Sequence, residues 1–190
     1  FDFILTMYNV GEPDVFAFSR IVKERYPKVP VVLLTSFSKD IYRRIEEQDR
    51  TALDYIFCWH GNADLIIAII KLIEDRMNAD KDILEGGVQS ILLVEDSIRY
   101  YSTYLPAIYK LVLLQNSEFL KDAYNEQQQI LRKRARPKIL LATNYEDAVR
   151  IYQRYKSNLI HKHYRAGYGN DKAKPHVRAL VAFVLCLLFF

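Results

Sequence analysis

Cysteine is scarce in this chain of 190 residues, which contains Cys58 and Cys186. Two cysteines cannot build the disulfide framework of a small secreted domain, and no signal peptide precedes them, so the sequence predicts a cytoplasmic protein. The longest apolar run, residues 179–190, has twelve residues. It is too short for a membrane span, which needs ~20 residues, and we expect no membrane anchor.

Catalytic signatures are also missing. The chain has six glycines and shows no glycine-rich phosphate loop, no nucleophile elbow and no catalytic-triad spacing. Cys58 and His60 lie two residues apart, but no second cluster of cysteine and histidine completes the four ligands of a zinc site. The sequence therefore predicts no independent enzymatic activity.

The formal net charge of +4 comes from one end of the chain. Residues 1–160 contain equal numbers of acidic and basic side chains, and the whole excess lies in residues 161–190. Residues 132–138, Arg-Lys-Arg-Ala-Arg-Pro-Lys, form a local basic block. We interpret this block as a solvated helix end whose cations complement the helix dipole, with a nucleic-acid-binding patch as the alternative.

Short apolar segments alternate with stretches of helical periodicity along the chain. This alternation is typical of βα units that build a parallel sheet flanked by helices, which predicts the α/β class. A polar segment with Gly86-Gly87, residues 78–90, predicts a linker between two parts. The predicted strands are residues 2–8, 29–35, 54–59, 91–94 and 138–142.

The two parts resemble halves of response-regulator receiver domains. Residues 1–77 resemble the C-terminal half of one receiver, and residues 91–159 resemble the N-terminal half of a second one. The resemblance implies a flavodoxin-like fold, and residues 160–190 form an atypical basic and apolar tail outside the family pattern. The motifs are Asp2-Phe-Ile-Leu, Val29-Pro-Val-Val-Leu-Leu-Thr-Ser36, Leu53-Asp-Tyr-Ile-Phe57, Ile91-Leu-Leu-Val-Glu-Asp-Ser97 and Lys138-Ile-Leu-Leu-Ala-Thr-Asn144.

The tandem arrangement also resembles the N-terminal regulatory region of a larger family. Glu-Gly-Gly-Val at residues 85–88 and the basic block at residues 132–138 are similar to the region that precedes bacterial PEP/pyruvate-binding proteins. Those proteins are related to phosphoenolpyruvate synthase and to pyruvate, phosphate dikinase. The resemblance implies a role in two-component signal transduction, in the manner of a phosphorelay.

In the first half-receiver, the resemblance assigns three site positions to unusual residues. Met7 occupies the position of the phosphoacceptor aspartate, and a thioether cannot accept a phosphoryl group as a carboxylate does. Thr35 fills the hydroxyl position, and Cys58 stands where a receiver has lysine. The acidic pair belongs to strands that this half lacks, so we expect a receiver that cannot be phosphorylated.

In the second half-receiver, Glu95 and Asp96 match the acidic pair that holds Mg²⁺ in receivers, which implies a weak, incomplete metal site. The alternative is that Asp96 caps the following helix and that Glu95 is its solvated neighbour. A third strand ending in aspartate is expected after Leu159. The chain departs from the pattern there, and Asp171 is a poor substitute.

The five strands allow two sheet arrangements. A single doubly wound sheet would bring residues 91–94 beside residues 2–8, in the 2-1-3-4-5 order of flavodoxin-like folds, and we favour this arrangement. Two incomplete sheets with exposed edges are the alternative.

Together these features predict a non-catalytic, receiver-like signalling segment that acts through protein–protein contacts. The partner would be a histidine kinase or the rest of the same chain, with a homodimer as a further option and no role for nucleic acid or membrane. The alternatives are a phosphorylatable receiver and a nucleic-acid-binding module that uses residues 132–138.

Overall fold

The computed structural model describes residues 3–9, 11–36, 38–121 and 136–160. Within these ranges five strands alternate with helices, and every pairing between strands is parallel. All five predicted strands are confirmed, as is the α/β class. The elements are β1 (Ile4–Met7), α1 (Val15–Arg25), β2 (Val31–Ser36), α2 (Lys39–Glu47), β3 (Tyr55–Trp59), α3 (Asp64–Ala79), a π-helix (Asp80–Glu85), β4 (Ser90–Val94), α4 (Ile98–Lys121), β5 (Lys138–Ala142) and α5 (Tyr145–Tyr155).

The chain divides into two compact units. The first unit comprises Phe1–Ile69 and Ile98–Pro106, and the second comprises Ile70–Ser97 and Ala107–Phe190. Helices α3 and α4 therefore contribute residues to both units. In the part of the chain that the structure describes, no helix combines the length and the apolar character needed to cross a membrane.

The first unit contains a three-stranded sheet in the order β1-β2-β3. β1 pairs with β2 from Ile4 opposite Val31 onward, and β2 pairs with β3 up to Ser36 opposite Trp59. The central strand is buried from Val31 to Thr35. This burial agrees with the unbroken apolar sequence of β2, which is typical of a parallel strand covered on both faces.

Asparagine side chains cap the first turns of α3 and α5. The backbone N–H of Asp64 donates to Asn62 Oδ1 at 2.9 Å, and the N–H of Asp147 donates to Asn144 Oδ1 at 2.8 Å. Each bond satisfies an N–H group that the first turn of a helix leaves unpaired. Ser38 precedes α2 without making a side-chain hydrogen bond to it.

The second unit contains β4 and β5, paired from Ser90 opposite Lys138 to Val94 opposite Ala142. Ser90 also forms a parallel bridge with Leu159. The N–H of Ser90 donates to the carbonyl of Asn158 at 2.8 Å, and the N–H of Ile160 donates to the carbonyl of Ser90 at 3.0 Å. The segment at Leu159 therefore begins a third strand position beside β4, in the order expected for the start of a doubly wound sheet.

The favoured single sheet of five strands is wrong. The described residues form one sheet of three strands and one sheet of two strands, and no bridge joins β1 to β4. The reason lies in the edges of β4, because one edge bonds to β5 and the other begins pairing with Leu159. Each half therefore forms a separate sheet from its own strands.

The segment 78–90, predicted to be a polar linker, is helical as far as Glu85. α3 continues to Ala79, and the π-helix follows directly. Ile83 of the π-helix is fully buried and belongs to a core cluster with Ala79, Leu140 and Tyr155. The burial of Ala79 and Ile83 in this cluster thus anchors a segment whose composition is mostly polar.

Candidate functional site

The carboxyl edge of the first sheet brings together the three residues assigned by the receiver resemblance. Met7 ends β1 and pairs with Leu34 of β2, while Thr35 of β2 pairs with Cys58 of β3. The carboxyl ends of parallel strands form the usual ligand-binding edge of open α/β sheets. Three consecutive strands therefore contribute one candidate residue each to this edge.

Met7 is the most accessible of the three, with 58% of its surface exposed. Its thioether sulfur is a soft and weak acceptor, whereas the phosphoacceptor of a receiver is a carboxylate and Mg²⁺ prefers hard oxygen ligands. The position that would carry the reaction of a receiver therefore holds an accessible but chemically unsuitable side chain.

Thr35 and Cys58 are both buried. The Thr35 hydroxyl donates to the carbonyl of Ser36 at 3.2 Å. Burial raises the pKa of the Cys58 thiol, and the positive charge of Arg99 opposes this effect without cancelling it. The thiol is therefore neutral at physiological pH and cannot supply the positive charge that a lysine gives to a receiver site.

An open cavity of about 430 Å³ begins immediately after β1. Its wall includes Tyr8 and Phe16, whose rings meet edge to face with centroids 6.5 Å apart. Both signs of charge line it, so the cavity does not select an anion. The lining residues are Tyr8, Asn9, Gly11, Asp14, Val15, Phe16, Arg44, Glu47 and Gln48. The sequence did not point to this set, because residues 8–16 and residues 44–48 come together only in the fold.

The acidic pair follows β4 in the second unit. Glu95 is buried, its N–H donates to the carbonyl of Ala142 at 3.0 Å, and its Oε1 accepts the N–H of Ser97 at 3.0 Å. Asp96 is exposed. The interpretation of Glu95 as a solvated neighbour is therefore wrong, because the turn between β4 and α4 folds its carboxyl group inward.

Burial raises the pKa of Glu95, and the hydrogen bond from the Ser97 N–H opposes this shift. Mg²⁺ needs several hard oxygen ligands in an octahedral arrangement. In the described ranges no three side chains of His, Cys, Asp or Glu are placed to share a metal ion. The residues present there do not fit a complete Mg²⁺ site.

A buried ion pair in the second unit was not predicted from the sequence. Asp75 of α3 is fully buried, and Arg136 is 4% exposed. Arg136 Nη2 lies 2.6 Å from Asp75 Oδ1, and Nη1 lies 2.9 Å from Oδ2. Burial disfavours the charged guanidinium, but the bonds to Asp75 outweigh this effect and raise the pKa of Arg136. The two planar groups form a bidentate pair.

Further donors complete the surroundings of the Asp75 carboxylate. Tyr109 Oη donates to Oδ2 at 2.9 Å, and the backbone N–H of Ile139 donates to the same oxygen at 3.0 Å. Lys138 Nζ lies 3.9 Å from Oδ1 and 2.8 Å from Asp82 Oδ2. Every charge in this cluster has a partner, as buried ionic groups require.

This cluster corrects the interpretation of the basic block. Arg136 and Lys138 are buried and paired inside the second unit, so they form neither a solvated helix end nor a surface for nucleic acid. The remaining cations of the block, residues 132–134, lie outside the described residues. One sequence signal pointed to the cluster: Asp75 follows Leu72 by three residues and precedes Ala79 by four, on the buried face of α3.

Comparisons of the chain with protein-family models, with curated proteins and with solved structures found no match.

Proposed function

We propose that this chain is a non-catalytic, receiver-like signalling segment that acts through contacts with other proteins. It would serve in the cytoplasm as part of the regulatory region of a PEP/pyruvate-binding protein, in two-component signal transduction of the phosphorelay type. The partner is a histidine kinase or another part of the same protein.

One observation carries this proposal. Met7, Thr35 and Cys58 stand at the carboxyl edge of three adjacent parallel strands, in the chain order of the three site positions of a receiver. The architecture suits a receiver, but the side chains offer a thioether, a bonded hydroxyl and a neutral thiol instead of a carboxylate, a free hydroxyl and an ammonium group. If the scaffold cannot carry out the phosphorylation reaction of a receiver, its function has to come from contacts between its surfaces and other proteins.

The second unit gives independent support. Its strand order, with β5 on one side of β4 and Leu159 beginning a position on the other, agrees with a flavodoxin-like sheet that starts at β4. Glu95 and Asp96 follow β4 directly, at the place of an acidic pair. Both half-receivers of the proposal thus have a matching order of strands.

The test is chemical labelling of the whole chain with acetyl phosphate and Mg²⁺, followed by intact-mass measurement. We expect no addition of a phosphoryl group, since the carboxyl edge of the first sheet offers no acceptor. A stable phosphoaspartate anywhere in the chain would contradict the proposal and favour a phosphorylatable receiver. A receiver with a functional aspartate serves as the positive control.

A nucleic-acid-binding module is the alternative of a different class. The burial of Arg136 and Lys138 removes two cations from the block on which that alternative depends. Phosphate contacts strengthen as salt is lowered. Retention of the chain by duplex DNA or RNA in a low-salt gel-shift experiment would revive this alternative, whereas we expect no shift.

A further inference from the structure

The free edge of β3 is covered by two side chains of α4. β3 is the last strand of the first sheet, so among the described residues no strand lies beside its outer row of backbone groups. The N–H of Cys58 donates to Ser102 Oγ at 2.9 Å, and Tyr101 Oη donates to the carbonyl of Ile56. These are the groups that a neighbouring strand would otherwise bond.

Both covering side chains are built into the core of the first unit. Tyr101 is 2% exposed and Ser102 is 3% exposed. The Tyr101 ring packs edge to face on Phe57, with centroids 5.4 Å apart. Ser102 Oγ also donates to the carbonyl of Ile98 at 2.5 Å, which holds the hydroxyl in place. The cover is thus a fixed arrangement that supplies one donor and one acceptor to the strand edge.

The sequence of β3 explains why such a cover matters. Tyr55–Trp59 reads Tyr-Ile-Phe-Cys-Trp and contains no charge, proline or glycine. Edge strands in natural proteins are usually protected by charge, proline or a bulge, because an apolar strand with free backbone groups pairs with identical strands. β3 has none of these protections within its own sequence. Protection has to come from outside the strand.

We propose that Tyr101 and Ser102 act as an edge cover that prevents β3 from pairing with β3 of a second copy of this chain. When the cover is removed, β3 of a second copy pairs with this edge, and a twofold axis relates the two copies. The inference rests on hydrogen bonds, burial and the composition of β3, and it holds independently of the receiver resemblance.

The experiment compares two double variants of the full chain. Tyr101→Phe with Ser102→Ala removes both polar contacts to β3 and keeps most of the packed volume. Tyr100→Phe with Thr103→Ala is the matched control, because Tyr100 is 51% exposed and the exposed Thr103 hydroxyl donates within α4, to the carbonyl of Arg99. Molar mass is measured over a concentration series, and amide hydrogen exchange is followed at Cys58.

We expect the Tyr101→Phe/Ser102→Ala variant to double its molar mass relative to the wild type as concentration rises, while the control follows the wild type. In the dilute state of this variant the Cys58 amide exchanges at least about tenfold faster, because its acceptor is gone. Faster exchange without any gain in molar mass would overturn the proposal, as would unchanged exchange. If the double variant does not fold, Ser102→Ala alone is tested in its place, and both a gain in molar mass and faster exchange of the Cys58 amide are again expected.

Discussion

Asp75 and Arg136 are 61 residues apart in the sequence and form a bidentate, buried ion pair, with N–O distances of 2.6 and 2.9 Å. The pair joins α3 to the residues that lead into β5, and the Asp75 carboxylate also accepts the backbone N–H of Ile139. One carboxylate thereby anchors the start of a strand through side-chain and main-chain donors together.

Removing one partner of this pair leaves a buried charge without its bidentate partner. We expect Asp75→Ala or Arg136→Ala to lower the free energy of unfolding by about 3–5 kcal/mol. Replacing both residues together, as Asp75→Leu with Arg136→Met, is expected to cost less than the sum of the two single losses, because no charge is left alone. Urea denaturation of the four proteins gives the comparison.

An exposed pair supplies the control for this measurement. Arg150 Nη2 and Asp147 Oδ1 are also 2.6 Å apart, but the Arg150 side chain is 68% exposed. Solvent screening limits such pairs to ~0–1 kcal/mol. If Arg150→Ala destabilises the protein as much as Arg136→Ala does, burial is not the cause of the effect.

The carboxyl group of Asp80 makes the free energy of unfolding fall in acid. Hydrogen bonds from Arg154 and from Tyr155 lower its pKa from 3.8 to about 2. Because the folded pKa is depressed, the stabilisation is complete above pH 3.8 and is lost as pH falls through about 2. We expect Asp80→Asn to flatten the fall in unfolding free energy between these pH values. Arg154→Gln should give a partial effect, and an unchanged acid slope in both variants would contradict the assignment.

The pKa of Glu95 is shifted in the opposite direction, upward. Burial raises its pKa above 4.5, so the folded protein holds the proton more tightly than the unfolded chain does. The resulting stabilisation is present below pH 4.5 and is lost as pH rises through the folded pKa. Glu95→Gln, which stays neutral, should remove this decline when unfolding is followed from pH 4 to 7. A variant whose pH profile overlays the wild type would show that the carboxyl group is solvated.

The Cys58 thiol should react slowly in the folded protein. Burial raises its pKa, and the thiolate is the reactive form. In a Cys186→Ser background, we expect iodoacetamide to modify native Cys58 at least about tenfold more slowly than the urea-unfolded chain. Equal rates in the two states would mean that the carboxyl end of β3 is open to solvent.

The strands were predictable because each is a short apolar run bounded by helical periodicity, as Val31–Ser36 and Lys138–Ala142 illustrate. The helix starts at Asn62 and Asn144 were predictable because capping is a local interaction. Such features depend on neighbours within a few residues, so composition and spacing carry the information.

Features that join distant segments were not predictable. The division into two sheets depends on which edge each strand leaves free, and no local pattern records that choice. The sequence alone indicates that Arg136 is a surface cation, because its partner Asp75 lies 61 residues away in the chain. The sequence alone indicates a solvated Glu95, because the turn after β4 buries its carboxyl group only in the folded chain. Ile83 lies in a polar stretch of sequence, and its core partners come together only in the fold.

We propose that the carboxyl edge formed by Met7, Thr35 and Cys58 has the arrangement of a receiver site without its chemistry. Amide NMR spectra of the full chain, recorded with and without beryllofluoride and Mg²⁺ as a phosphoryl mimic, test it directly. We predict that the amide signals of these three residues and of their neighbours do not shift at saturating mimic. Concentration-dependent shifts that centre on Thr35 and Cys58 would contradict the account.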